Sequence, residues 1–488
     1  MSDTAKALSV SYSLALAFVM ALGVFVGISA HARPAAAAVG GGALAVGLYL
    51  YSRHPFGMLL LFIFLIPLDR LLWLPGTSSA FSIVKLQFLP LMLVVCWRIL
   101  IRREPVRFPR QAIYVLLFAS ALTVSALLMK SRIHGMRGFM ILLRLIAFYF
   151  IVVQMVRERK QLRLIVLCLI VSNCLVSLAG LAQYHAGISV LPGGLHGASA
   201  AQKGRFTALA LNDPNIFASE ANLALFLALV LFIYIKNVVP RVLLLLAICL
   251  LSYSVALSFS RGGFLSMLVG FSLVAVMFRS KINISTIVPG AVCIVTAIAV
   301  LAPPGYWERL LTLAGGSMDY SLNSRAAQHI IALDLFQRSP IIGIGPINFP
   351  YYFREKTFRY LVNGLEKGWM LHNMYLSVLL DAGLVGFIPF MALLGSSLSG
   401  LYAKSRAWSA RKAYSRLDQA IPGALFAAMV VYLFANTFLS AEYEKYLWLL
   451  VALASCVSIA DDPKRQLKYS HMDEERHYQH FCSECEND

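Results

Sequence analysis

Apolar runs of about 20 residues, the length a helix needs to cross a hydrocarbon core of roughly 30 Å, recur along the chain. They fall at 8–30, 35–51, 55–74, 82–101, 111–129, 138–156 and 162–182, then at 221–236, 241–259, 263–278 and 284–302, and finally at 374–396, 421–439 and 446–460. This pattern predicts an all-α, polytopic transmembrane helical bundle of about 12–14 spans. The first run resembles a secretory signal in its position, but it is too long for a signal's apolar region and further spans follow it closely, so it reads as a span. Pro67, Asp69 and Arg70 interrupt the 55–74 run, which fits a short tilted or re-entrant helix.

Two long polar segments interrupt the apolar series. Residues 185–220 are rich in Gly, Ser and Asn, and residues 304–373 carry too much charge to cross a bilayer. Within the second segment, Gly315, Gly316, Gly343-x-Gly345-Pro346 and Pro350 punctuate short helices. One of these is expected over Ser324 to Gln337, where Ile330, Ile331, Leu333 and Leu335 suggest an amphipathic or locally buried stretch. The chain divides accordingly into N-terminal transmembrane helices (1–183), a region 184–460 that includes the loop 304–373, and a tail 461–488.

Composition agrees with a lipid-dissolved chain: 59% of the 488 residues are hydrophobic and 13% charged, against roughly 25% charged in soluble domains. The net charge of +19 does not point to nucleic acid, because in a membrane protein the placement of Lys and Arg matters more than their sum. Clusters at Arg98, Arg102, Arg103, Arg107 and Arg110, at Arg157, Arg159, Lys160 and Arg163, and at Lys404, Arg406, Arg411, Lys412 and Arg416 mark cytoplasmic loops. With these inside, 24 of the 42 Lys and Arg fall on the cytoplasmic side, as do both termini. The segments 185–220 and 304–373 and the turn Ser260-Arg261-Gly262-Gly263 then share the outer face. Six cysteines lie in apolar runs, where a thiol packs as a small hydrophobe. Cys482 and Cys485, with His471, His477 and His480, match zinc by ligand type, but a polar terminus with nothing to pack against reads more simply as disordered. No metal or cofactor is expected.

The polar outer segments hold the candidate chemistry. Arg261 ends an apolar run before two glycines that let the backbone turn tightly; its planar fork of donors suits a phosphate, and equally suits lipid headgroups. Arg205 precedes Asp213-Pro214-Asn215, a turn former that could cap the next span. His372, followed by Asn373 where the chain re-enters the membrane, can act as a general base near neutral pH or serve a structural role. Arg325 and Asn348 are further candidates. Lys85 and Arg144 fall inside spans, where pairing with Asp69 or Asp381 would account for them. No P-loop, dinucleotide-binding glycine motif or Asp-x-Asp occurs, which argues against a cytoplasmic nucleotide-sugar enzyme.

Taken in order, Arg205 with Asp213-Pro214-Asn215, Ser260-Arg261-Gly262, Arg325 leading through Ser339-Pro340-Ile341-Ile342-Gly343-Ile344-Gly345 to Asn348-Phe349, and His372-Asn373-x-Tyr375-Leu376 before Gly383-Leu384-Val385-Gly386 resemble the O-antigen ligase and O-antigen polymerase superfamily. The resemblance covers about residues 165–460. It implies a metal-independent, inverting glycosyltransferase of the bacterial inner membrane whose active site faces the periplasm. The implied donor is an undecaprenyl-diphosphate-linked glycan, and the acceptor is another glycan or lipid A core. By the same resemblance Arg205 and Arg261 bind the diphosphate and His372 deprotonates the acceptor, with Asp213, Asn215, Arg325, Asn348 and Asn373 in support. Membrane lipids are the remaining partner, and nucleic acid is not one.

The competing class is a multi-span transporter of anions or polysaccharide, which should show paired broken helices near the midplane lined by ionisable residues. Sidedness is directly testable. A single cysteine placed in 304–373 of a cysteine-free background should react with an impermeant maleimide in intact spheroplasts, and labelling only after lysis would place the loop inside.

Overall fold

A computed structural model describes residues 53–69, 83–128, 132–186, 206, 213–281, 320–352 and 370–460. Among these the chain is helical and has no strands. The helices are α1 (Pro55–Leu65, continued by a 3-10 turn over Ile66–Leu68), α2 (Ile83–Leu100), α3 (Arg110–Leu128), α4 (Arg132–Met155), α5 (Arg159–Ala186), α6 (Pro214–Tyr234) and α7 (Val238–Leu257). They are followed by α8 (Arg261–Met277), α9 (Tyr320–Arg338), α10 (Phe349–Tyr352), α11 (Met374–Ala410), α12 (Arg416–Ala435) and α13 (Lys445–Ile459). Seven are long and apolar enough to cross a membrane and four more are shorter apolar helices, so all eleven expected spans that fall on described residues are helices. The spans expected at 8–30, 35–51 and 284–302, the Cys482/Cys485 tail, Arg205 and the side chain of Lys85 lie outside the described residues. The doubtful 55–74 run becomes a helix that stops at Leu68.

α6 is the axis of the bundle. It is apolar all round and buried along its length, as expected of a helix surrounded by others. Its most extensive neighbour is α12, with α5, α7 and α8 also against it. Small residues let these helices approach: Ala218, Ala221, Ala224 and Ala228 on α6, and Ala420, Ala424, Ala427 and Ala428 on α12, are all fully buried. Gly270 of α8 lies directly on the Phe226 ring, and Gly423 of α12 on the Phe278 ring. Hydrogen bonds cross the interfaces at Asn222 Nδ2 to Gly263 O (2.8 Å), Tyr234 to Ser409 (2.6 Å) and Tyr149 to Ser455 (3.0 Å).

The three basic clusters meet at one end of the bundle. Glu104 pairs with both Arg98 and Arg157, Arg163 pairs with Asp418 (3.4 Å), and Arg159 lies over the Tyr414 ring. Asp69 pairs with Lys445 and the Asp381 carboxylate accepts from Tyr443 (2.6 Å), while Arg144 lies exposed with its Nε on Met140 O. The pairing of Arg144 with either acid is therefore not formed: Asp69 takes Lys445, the first residue of α13, and Asp381 takes Tyr443 from the loop before it.

α11 departs most from the expected pattern. It reaches Ala410 instead of ending at 396, and it is broken at Gly383, which has φ 58° and ψ −164°. Into the break fits the chain after α9. Ile344 N–H donates to Leu380 O (2.7 Å), Gly345 N–H to Asp381 O (3.2 Å), Leu384 N–H to Pro340 O (2.9 Å) and Val385 N–H to Ile341 O (3.2 Å). The loop backbone thus supplies partners at the break, as buried backbone requires. Gly343 (φ 82°) and Gly383 face each other so closely that a Cβ on Gly343 would meet Leu380 O at 2.3 Å, and one on Gly383 would meet Ile341 O at 2.2 Å. The glycines expected to punctuate a surface loop instead seat a segment inside the bundle, where its tip at Pro346 also lies against Gly138 of α4.

Gly383→Ala should therefore cost about 2–4 kcal/mol, from the left-handed φ and the backbone clash together. Gly395→Ala, with open space at its Cβ, serves as the control. Thermal unfolding of the detergent-solubilised chain should show a lowered midpoint for the first and an unchanged one for the second.

Candidate active site

At the end of the bundle opposite the basic clusters, three helices begin close together in the fold. Asp213 caps α6: its side chain accepts from Asn215 N–H (2.8 Å), with Pro214 at the first helical position, where a missing N–H costs nothing. Ser260 caps α8, accepting from Gly263 N–H (3.1 Å). Its hydroxyl in turn donates to Asn215 Oδ1 (2.8 Å), stitching the two helix starts together. Asn373 caps α11 through Leu376 N–H (3.1 Å). α8 and α11 have no acidic residue at the cap or in the first turn, whereas α6 carries the Asp213 carboxylate at its cap.

Arg261 is the first residue of α8, half-buried and next to the Ser260 link. The sequence suggested that Gly262 and Gly263 make the turn before it. The left-handed residue is instead Phe259 (φ 52°), and both glycines are helical. They are small for packing: a Cβ on Gly263 would meet the Ala218 Cβ at 2.6 Å, and one on Gly262 the Phe438 ring at 3.2 Å. Phe206, the neighbour of Arg205, donates its N–H to Leu257 O (3.1 Å) and sets its ring edge-on to Phe217. That contact brings residue 206 to the same helix ends.

His372 reaches the site from the other side. α9 extends over the predicted amphipathic stretch and buries Ile331 and Leu335, while Ile330 and Leu333 face outward. Its buried side forms a small second core with Ile344, Phe349, Leu371 and Leu380, which lays α9 on the first half of α11. Gln328 of α9 accepts the His372 backbone N–H (3.2 Å). Arg325 and His329, one turn apart on the same helix, act electrostatically on His372, as does Asp213 from α6. Burial pushes the His372 pKa down, the Arg325 charge pushes it further, and Asp213 opposes with His329 adding a smaller lowering. The imidazole is therefore neutral near pH 7, the form that can accept a proton.

The fold thus gathers Asp213, Asn215, Arg325, His372 and Asn373 into one region, with Arg261 linked to it through Ser260. Asn348 is elsewhere: it is buried in the inserted loop, where its Nδ2 donates to Ile344 O (2.9 Å). Sequence reading missed the loop between α12 and α13. There Glu444 and Asn436, with Ser219 and Glu220 of α6, line a small cleft. The available signal was five charged or hydroxylated side chains, Ser440, Glu442, Tyr443, Glu444 and Lys445, packed into six residues between two apolar runs. Among the described residues no group of three His, Cys, Asp or Glu could hold a metal ion.

A search of curated proteins finds no match to the chain. Residues 245–391 match the family described as O-antigen ligase. That segment runs from α7 to the second half of α11 and includes Arg261, Arg325, the inserted loop and His372. Over these residues the chain is similar to the O-antigen ligase family.

Proposed function

We propose that this membrane protein transfers a glycan from an undecaprenyl-diphosphate-linked donor to a hydroxyl of an acceptor glycan or lipid A core, at the periplasmic face of the inner membrane. The observation that carries the reading is His372, held neutral by burial and Arg325 at the point where three helix N-termini converge. The acceptor oxygen attacks the anomeric carbon as the bond from that carbon to the diphosphate oxygen breaks. His372 takes the hydroxyl proton, and the lipid diphosphate leaves with the bonding electron pair. One such displacement inverts the anomeric centre.

The leaving group is already activated, so catalysis rests on positioning and on stabilising its growing negative charge. Arg261 and, by the family resemblance, Arg205 supply that charge, as divalent cations do in other glycosyltransferases. The N-terminus of α8 adds its dipole. Asp213 and Asn215 hold the helix starts in place, Arg325 keeps His372 unprotonated, and Asn373 fixes the turn that presents it.

A transporter would place its broken helices around a path. Among the described residues the break in α11 is filled by the backbone of 340–345, which supports a fixed framework rather than a gate. Ligases and polymerases differ in the acceptor they use, and both fit this site.

Purified His372→Ala should bind the lipid-linked glycan as the parent does while its turnover falls by about 10²–10⁴. Arg261→Lys keeps the charge but not the fork and should be partly active, whereas Arg261→Ala should be nearly inactive. Transfer at the parental rate by well-folded alanine variants would remove these residues from the mechanism. The pH profile offers a separate check. With the His372 pKa lowered, transfer should persist below the ordinary imidazole range before its acid limb. Arg325→Gln removes a charge that lowers that pKa and should move the limb to higher pH.

A further inference from the structure

The break at Gly383 leaves the first part of α11 a short segment, 374–382, that a continuous helix cannot hold in place. Its position is set by lateral bonds, and four of them come from the loop between α12 and α13. Ser440 Oγ donates to Leu371 O, and Asn436 O accepts from Met374 N–H (3.0 Å). Ser377 Oγ donates to Glu442 Oε1 (2.6 Å), and Tyr443 OH donates to Asp381 Oδ2 (2.6 Å). Ser377 and Asp381 lie one turn apart on one face of α11, while Glu442 and Tyr443 are consecutive, so the last two bonds run side by side.

Both acids are buried, Asp381 at 2% and Glu442 at 2% exposure. Asp381 is also bonded to the inserted loop: its carboxyl accepts from Ile347 N–H, and its backbone carbonyl accepts from Gly345 N–H and from Ser125 Oγ (2.6 Å). Glu442 O accepts from Trp448 Nε1 (2.9 Å), while Glu442 Oε2 has no partner among the described residues. Buried carboxyls without a matching cation are costly, and a structure that keeps them must gain something local from them.

We propose that Asp381 and Glu442 are positioning residues for the transfer reaction, latching the segment that carries His372 to the α12–α13 loop and to the inserted loop. The proposal rests on the glycan-transfer reading for what His372 does, but the latch itself can be measured without substrate. The groups facing Glu442 are Ser377 and Asp381 from α11, Trp448 from α13, and Tyr443 and Glu444 from its own loop. Burial, then the Asp381 charge, pushes the Glu442 pKa up to about 8. A raised pKa means that the folded state favours the protonated acid. Its stabilisation is complete below the ordinary 4.5 and is lost as pH rises through about 8. The latch therefore weakens on the alkaline side.

The test uses the full chain in lipid nanodiscs with Tyr443→Phe, Glu442→Ala and Glu442→Gln. Amide hydrogen exchange is read over 371–382 and, as a folding control, over 214–234. Tyr443→Phe and Glu442→Ala should speed exchange in 371–382 about tenfold or more, leave 214–234 unchanged, and lower kcat by a similar factor with the donor KM unaltered. Glu442→Gln keeps a neutral hydrogen-bonding group, so it should behave like the parent near pH 7 and retain activity above about pH 8, where the parent declines. Parental exchange in both Tyr443→Phe and Glu442→Ala overturns the proposal whatever transfer shows, and so does Glu442→Gln proving as damaging as Glu442→Ala. Faster exchange in a protein whose parent transfers no glycan would count against the transfer reading alone.

Discussion

A helix inside hydrocarbon can be interrupted only where other groups take over the hydrogen bonds it loses, and the whole outer half of this bundle depends on how that is done at Gly383. The backbone of 340–345 bonds both sides of the break, and two left-handed glycines, Gly343 and Gly383, let the strands of chain come within a distance that any Cβ would forbid. Because the inserted segment follows α9 directly, seating it also fixes α9 on top of α11. α9 in turn brings Arg325, Gln328 and His329 to His372. The interruption therefore ties the extramembrane segment to the bundle through shared backbone bonds as well as side-chain packing.

The site that results is assembled from separate parts of the chain. Caps and backbone bonds carry most of the geometry: Asp213, Ser260 and Asn373 each start a helix, and Ser260 and Asn215 join two of them. Such groups fix where the three helices begin. Burial, and after it the Arg325 charge, keeps the imidazole of His372 unprotonated. The opposite end of the bundle is arranged differently, with Glu104 and Asp418 binding arginines into ion pairs that hold loops.

Much of this was legible in the sequence because the relevant signals are local. Apolar runs of membrane-spanning length marked every described span, and the basic clusters predicted which helix ends would meet. The Asp213-Pro214 cap, the helix over Ser324 to Gln337, and the ordered motifs around Arg261, Arg325 and His372 are likewise readable within short windows. Gly262-Gly263 misled for a related reason: a glycine pair after an apolar run signals a turn, whereas here Phe259 takes the left-handed conformation and the glycines admit Ala218 and Phe438.

What the sequence by itself determined is the class of molecule and its described spans, since each depends on hydropathy, capping or composition over a few turns. Tertiary structure alone decided which residues meet. Gly343 and Gly383 are 40 positions apart, and Asp381 and Tyr443 are 62; no periodicity links them, because their pairing is fixed by where a broken helix leaves backbone groups to satisfy. The same holds for Asp69, whose partner proved to be Lys445 across the bundle. Buried polar groups in a membrane protein must find partners wherever the packing of apolar helices happens to bring them, and that packing is a property of the assembled chain.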